Sequence, residues 1–240
     1  MEFLIFARLS KPWRSRGVFL VFEIMDISYL GHSSFRIKTK TANIVTDPFD
    51  PKMVGLKFSG VEADIVTISH HHEDHGKAEL VKGVKKIVDG PGEYEIMGVS
   101  IIGFASFHDD KKGAERGANT IYVFEADSLR LAHLGDLGHV LTQELIESMG
   151  DIDILMIPVG GVFTIGPQEA VAIVREIEPK IVIPMHYQVP HLNPDTFSKL
   201  LGVEQFLKEV GLQTENLPKL SINKEEFGEG SKAVVLEIKA

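Results

Sequence analysis

Ile68-Ser69-His70-His71-His72-Glu73-Asp74-His75 places four of the chain's ten histidines and an aspartate within six residues. Residues 63–68, just before, form an apolar, β-branched run that reads as a buried strand. The strand ends near Ser69, so the cluster sits on the loop leaving its C-terminal end. In extended backbone, residues i and i+2 point the same way, so His70 and His72 converge on one point. Asp74 and His75 follow as the chain turns and face a second point nearby. Neutral imidazoles and carboxylates are ligands for a borderline divalent ion such as zinc. The plainer alternative is a polar loop that happens to be rich in histidine. The helical zinc pattern His-Glu-x-x-His is absent, because His75 follows Glu73 one position too early.

Composition narrows the chemistry. The 240 residues contain no cysteine, which excludes disulfides, iron–sulfur clusters and thiol catalysis, and leaves His, Asp and Glu as the metal ligands. A net charge of −9 argues against a general binder of phosphate backbones, so a small-molecule substrate is expected and nucleic acid is not. No apolar run approaches the roughly 18–20 residues that span a bilayer, so no membrane partner is expected. Residues 1–24 alternate apolar and basic stretches and match a secretory signal poorly. They are either an added arm or a non-native extension upstream of a start at Met25, with one large domain over residues 25–240. They carry four basic and two acidic side chains, so the remainder has a net charge of −11. The expected compartment is the cytoplasm, and homo-oligomerisation is left open.

Along the chain, residues 26–30, 34–38 and 42–46 alternate as half-buried strands do, with Gly31-His32-Ser33 in the first turn and Asp47-Pro48 after the third strand. His32 either approaches the pocket or is a satisfied structural histidine. Residues 77–81 read as a short helix, 85–89 as a strand, and 93–96 with 99–104 as a hairpin through Met97-Gly98. Glu93 reads as an exposed strand residue, or else a pocket carboxylate. His108 follows the hairpin, and residues 110–119 read as a mobile loop at a pocket mouth, carrying Lys111, Lys112 and Arg116. A second hairpin, 120–124 with 129–133, runs into Leu134-Gly135-Asp136-Leu137-Gly138-His139. His133 reads as packed or hydrogen-bonded within the sheet. Residues 153–157 are a buried strand, and the apolar face of 170, 171, 174 and 177 marks a helix opened by Pro167. Residues 180–184 are the strand before Met185-His186-Tyr187. Residues 197–210 suggest a covering helix or pair interrupted near Gly202, and 233–238 a final strand.

The strand-end His70-x-His72-x-Asp74-His75, followed in order by His108, Gly135-Asp136 and Pro184-Met185-His186-Tyr187, resembles the metallo-β-lactamase superfamily over residues 25–238. The resemblance implies a four-layer αββα sandwich: two mixed sheets face to face, helices outside, and ligand loops at one edge. It implies that His70, His72 and His108 hold one metal ion, that Asp74, His75 and His186 hold a second, and that Asp136 bridges them. Asp47 matches a motif aspartate that orients the ligand loop; as a plain turn residue it would instead cap the chain before Pro48. Two divalent ions are therefore expected, with zinc the default and manganese or iron(II) fitting the same ligands. Such a pair can lower the pKa of a shared water towards ~7, giving a hydroxide nucleophile. Asp74 would orient that nucleophile or take its proton, and His139, three residues past Asp136, is the candidate acid for the leaving group.

Leu30-Gly31-His32-Ser33-Ser34-Phe35 and Thr46-Asp47-Pro48 look like the lactonase-like branch around L-ascorbate-6-phosphate lactonase. The segments Gly90-Pro91-Gly92-Glu93-Tyr94 and His133–His139 suggest a distinct subgroup, so that substrate is not carried over. The expectation is a metal-dependent hydrolase of a small anionic ester or lactone. The alternatives are a phosphodiesterase or nuclease of the same fold, and a metal-holding scaffold without turnover. Flavodiiron oxidoreductases share the fold but typically carry glutamate where this chain has His72, which argues against redox iron.

Overall fold

A computed structural model describes residues 23–239. The expectation for residues 1–24 falls almost wholly outside them. The first sheet is built early: β1 (Met25–Gly31), β2 (Ser34–Lys38), β3 (Asn43–Thr46), the one-turn helix α1 (Pro51–Val54), β4 (Ile65–Thr67) and β5 (Lys86–Val88). The chain then crosses to the second sheet with β6 (Gly92–Ile96), β7 (Val99–Phe107), β8 (Ala118–Ala126) and β9 (Leu129–His133). Helix α2 (Gln143–Met149), β10 (Ile154–Pro158), α3 (Pro167–Ile177) and β11 (Ile181–Met185) follow as parallel crossovers. The remainder is α4 (Pro194–Phe197), α5 (Val203–Val210), β12 (Gln213–Leu217), β13 (Leu220–Ile222) and β14 (Lys232–Leu236). The sheet orders are β13-β1-β2-β3-β4-β5 and β12-β14-β11-β10-β9-β8-β7-β6.

Both sheets mix parallel and antiparallel pairs, and their facing sides make one core. Ile27, Phe35, Ile44 and Ile65 of the first sheet join Ile101, Tyr122, Phe124, Ile154, Met156 and Ile183 of the second. Adjacent residues point the other way: Val123, Leu155, Ile157 and Val182 pack outward against Met149 of α2, Ala170 and Val174 of α3 and Phe206 of α5. Central strands buried on both faces therefore lack polar alternation. Among the described residues the other outer face is thinly covered, by Phe49, Val54 of α1, Phe58 and Phe197 of α4 against Val45 and Val66. The sandwich matches the expected fold, with few and short helices.

Three local readings change. The segment after the histidine cluster forms only a 3₁₀ turn over Ala78–Leu80. The covering pair around Gly202 is split across the molecule, with Phe197 on one outer face and Phe206 on the opposite one. Strands β12 and β13 add edges that the pattern did not announce. Gln213–Leu217 is mostly polar and exposed, and among the described strands it pairs with β14 only, with Leu217 packed against the core.

Candidate metal centre

The C-terminal ends of β3, β4, β7, β9 and β11 and the β1–β2 turn meet at one edge of the sandwich. They deliver Asp47, the His70–His75 loop, His108, Asp136, His186 and His32 respectively. Their ligand atoms fall into three overlapping groups, each within 4.8 Å: His70, His72 and His108; His32, Asp74, His75 and His186; and His70, His75 and Asp136. All seven residues singled out in the sequence are thus brought together. His32, left open between pocket and structure, joins them, with its Nε2 3.2 Å from Asp74 Oδ2.

Asp136 lies beside members of both of the other groups. Its Oδ2 is 3.1 Å from His75 Nε2, 3.2 Å from His186 Nε2 and 3.4 Å from His108 Nε2. The buried Nε2 atoms of His70, His75 and His186 nevertheless have no well-directed hydrogen bond. Buried imidazole nitrogens are rarely left so. The Nε2 atoms of His75 and His186, both close to one carboxylate oxygen without a well-directed bond to it, converge as ligands of a common ion do. Burial also disfavours the imidazolium and pushes His70 and His108 below the ordinary histidine range, so both are neutral and competent to ligate at pH 7. Burial alone would raise the carboxyls of Asp74 and Asp136, but neighbouring histidines hold both well below the carboxylate range. Neutral nitrogens at His70 and His108 with ionised carboxylates are donors suited to a divalent cation; at His75 burial would lower the imidazole, but Asp136 and Asp74 raise it well above its ordinary range, so it gives up a proton on ligating.

A further ring of residues aims these groups. Asp47, fully buried, accepts from the Ser69 backbone N–H at 2.7 Å and the Ser69 hydroxyl at 2.6 Å, and lies 2.9 Å from His75 Nδ1. With Nδ1 engaged by a carboxylate, His75 presents Nε2 to the centre. Asp47 therefore orients the loop and does not merely cap a turn. Asn119 is a contributor that sequence reasoning missed. Its Oδ1 accepts the Asp136 N–H at 3.0 Å while its Nδ2 donates to Leu134 O and Ser106 Oγ. Gly135 permits this approach, since at φ +57° a Cβ there would stand 2.4 Å from Asn119 Oδ1. His32, Asp47 and His186 all adopt left-handed backbone, at φ 56°, 39° and 52°. Such conformations cost about 1–3 kcal/mol each and cluster at functional sites. The His32 carbonyl accepts both Tyr29 OH and the His186 N–H, tying the β1–β2 turn to the end of β11.

A cleft of about 420 Å³ opens over this centre. One wall is apolar, made by Met53, Phe163 and Phe197; Arg116 is the only cationic side chain among the residues lining it. Arg116 donates to Val162 O at 3.4 Å, and its guanidinium lies 5.7 Å from the centre of the Phe163 ring. The loop that carries it is tied down, against the mobile loop expected. The Asp109 carboxylate accepts the backbone N–H groups of Lys111, Gly113, Glu115 and Arg116 at 2.8–2.9 Å. Burial would raise that carboxyl, but the four donors hold it well below its usual range. Lys111 pairs with Glu115, and neither Lys111 nor Lys112 lines the cleft.

His139 does not fit the role of proton donor. It is not among the residues lining the cleft, and its ring is tied to backbone on both sides: Nε2 accepts the Phe107 N–H at 3.2 Å, and Nδ1 is 2.9 Å from Val140 O. With both nitrogens engaged, it straps the Asp136 loop to β7. His133 is buried, 2.8 Å from Ser33 O, as a sheet residue would be, and Glu93 is exposed on β6.

The family model for the β-lactamase superfamily domain matches residues 26–186, from β1 through the last of the clustered histidines. The chain belongs to the metallo-β-lactamase superfamily. A metal-dependent hydrolase of Thermococcus onnurineus is 32% identical over 209 residues, covering 75% of this chain and 93% of that one. A crystal structure from Thermotoga maritima, described as a zinc-dependent hydrolase of the superfamily, is 38% identical; it matches with a TM-score of 0.72 over 90% of this chain and 100% of that one. A metallo hydrolase of Ignicoccus hospitalis, 20% identical over 90% of this chain and 97% of its own, shares the fold with a TM-score of 0.65. This superfamily member is a metal-dependent hydrolase. Among its described residues, no helix is long and apolar enough to cross a membrane.

Proposed function

We propose that this metal-dependent hydrolase works with two divalent ions, zinc by default, on a small ester or lactone carrying an anionic group. The observation that carries this reading is two neighbouring ligand groups with the Asp136 carboxylate within 3.1–3.4 Å of histidines from both, and three buried Nε2 atoms lacking well-directed hydrogen bonds. His70, His72 and His108 would hold one ion and Asp74, His75 and His186 the other, with Asp136 common to both. Bound there, the ions supply Lewis acidity and make water a competent nucleophile near neutral pH.

The chain's own residues do the rest. Asp47 and Asn119 fix the directions of His75 and Asp136. Asp74 stands at the cleft wall and is ionised, so it can orient the attacking water or accept its proton. Met53, Phe163 and Phe197 exclude solvent beside the reacting bond and accept an apolar portion of the substrate. Arg116 receives the anionic portion. One guanidinium beside a net-acidic body suits a small anion and not a long polyanion.

Elemental analysis of protein purified without chelator should find close to two divalent ions per chain. A turnover-competent protein with one ion or none would refute the dinuclear reading. A panel of lactones, esters, phosphodiesters and RNA then tests the substrate class; efficient, salt-sensitive RNA cleavage with inert lactones would transfer the site to the nuclease alternative. Arg116→Ala should raise KM about tenfold or more for an anionic lactone, a charge-assisted pair being worth roughly 1.5–3 kcal/mol, and should leave its neutral analogue nearly unchanged. Equal effects on both substrates would remove Arg116 from recognition.

A further inference from the structure

Lined by none of the residues of the cleft, a small cavity of about 80 Å³ lies beside the outer face of the first sheet. Three cationic side chains line it: Arg36 from β2, Lys57 from the loop after α1, and Lys239 from the end of the described chain. No acidic side chain among the described residues lines it. Among the described residues none of the three cations is in an ion pair; Lys57 and Lys239 are exposed, but Arg36 is half-buried, and the half-buried Lys77, Arg130 and Lys232 are all matched. Arg36 Nη2 donates to Asn43 Oδ1 at 3.4 Å, but its Nε is buried without a hydrogen-bond partner. A buried guanidinium nitrogen left unmatched calls for an explanation, since its desolvation is uncompensated. The clustering is the more pointed because the chain as a whole carries −9.

The three positions are held on ordered structure. Arg36 lies within a strand paired on both sides. Lys57 and Ser59 flank Phe58, which is buried against Phe49 with ring centres 4.8 Å apart. The Lys239 N–H donates to Tyr29 O at 2.8 Å, and Ile238 bridges to Tyr29, fixing the chain end beside β1. A cavity of this size exceeds the roughly 10–15 Å³ of such space that one water needs and is far smaller than the cleft of about 420 Å³ over the metal centre. Its donors are a guanidinium, two ammonium groups and the Ser59 hydroxyl, a set that matches tetrahedral oxygen anions.

We propose that Arg36, Lys57 and Lys239 form a binding site for one phosphate- or sulfate-sized oxyanion, separate from the catalytic cleft. The anion would meet the Arg36 guanidinium and join β2, the 57–61 loop and the chain end. It would act as a clasp on the face where α1 and α4 give little cover.

Calorimetric titration of the metal-loaded protein with inorganic phosphate, at constant ionic strength set with chloride, tests this. Phosphate that binds at the metal centre is common to all variants, so the difference between variants reports the cavity. The wild type should bind one more phosphate per chain than an Arg36→Gln/Lys57→Gln variant. Lys57→Gln alone, an exposed change that leaves folding intact, should weaken that site about tenfold, since each charge-assisted bond is worth roughly 1.5–3 kcal/mol. Metal content should stay the same. Repeating the titration with glycerol 3-phosphate separates free phosphate from the phosphoryl end of a larger ligand: binding that the Lys57 change weakens would assign the latter, and its absence the former. Identical stoichiometry and affinity for phosphate in wild type, Lys57→Gln and Lys239→Gln would overturn the proposal.

Discussion

Asp136→Ala should abolish hydrolysis, with a fall in kcat/KM of about a thousandfold or more, and should leave the purified protein deficient in metal. The reason is positional. One carboxylate oxygen lies 3.1–3.4 Å from nitrogens of His75, His108 and His186, so its loss removes the charge that both ligand groups share. The ions contribute several kcal/mol of transition-state stabilisation, and a thousandfold corresponds to about 4 kcal/mol. The substitution also acts on the metal-free protein. Burial would push His75 below its ordinary range, and Asp136 with Asp74 is what raises it well above. Without Asp136 that compensation weakens and the buried imidazolium becomes unfavourable. Metal content and turnover measured on the same preparation check the prediction. A variant that kept two ions per chain and near-native activity would remove Asp136 from the centre.

Asp47→Ala should have the second-largest effect, although Asp47 lies outside all three ligand groups. The carboxylate is fully buried and holds the Ser69 N–H, the Ser69 hydroxyl and His75 Nδ1. Losing a partner that fixes an imidazole's direction lowers metal affinity about 10–100-fold. Breaking a buried ionic pair destabilises the fold by about 3–5 kcal/mol. The pH dependence has a definite sign. Burial alone would raise the Asp47 carboxyl, but the His75 hydrogen bond and the charges of His133, His75 and His70 hold it below the ordinary 3.8. A carboxyl depressed in the folded state stabilises above its unfolded pKa, and that stability is lost as pH falls through the folded value. Thermal melts of chelator-treated wild type and Asp47→Asn should therefore differ at pH 7 and converge in acid below about pH 4. A constant gap down to pH 2 would mean that the Asp47 charge contributes nothing to the fold.

Local pattern alone determined the strand ending at the histidine cluster, the Met97-Gly98 hairpin, the Pro167 helix and the succession of strand ends bearing His108, Asp136 and His186. These features are legible because they rest on period, turn chemistry and spacing, which a chain carries in one dimension. The seven clustered residues followed from family resemblance at those strand ends. Tertiary structure decided the rest. Whether His32 joins the centre depends on the β1–β2 turn lying beside the end of β11, two segments about 150 positions apart in the chain. Ser33 reaches Asp136 across 103 residues, and His133 reaches Ser33 across 100, through sheet order that no local pattern records. Asn119 and Asp109 look like ordinary loop and strand-edge polar residues until their backbone partners are known. His139 lay close to Asp136 in sequence, yet the loop turns its ring towards the Phe107 and Val140 backbone. Arg116 and Lys111 share one loop and one charge, and only the Asp109 hydrogen bonds determine that Arg116 is the one at the cleft. Proximity in the chain constrains distance but not direction, and direction is what makes a side chain a ligand, a donor or a strap.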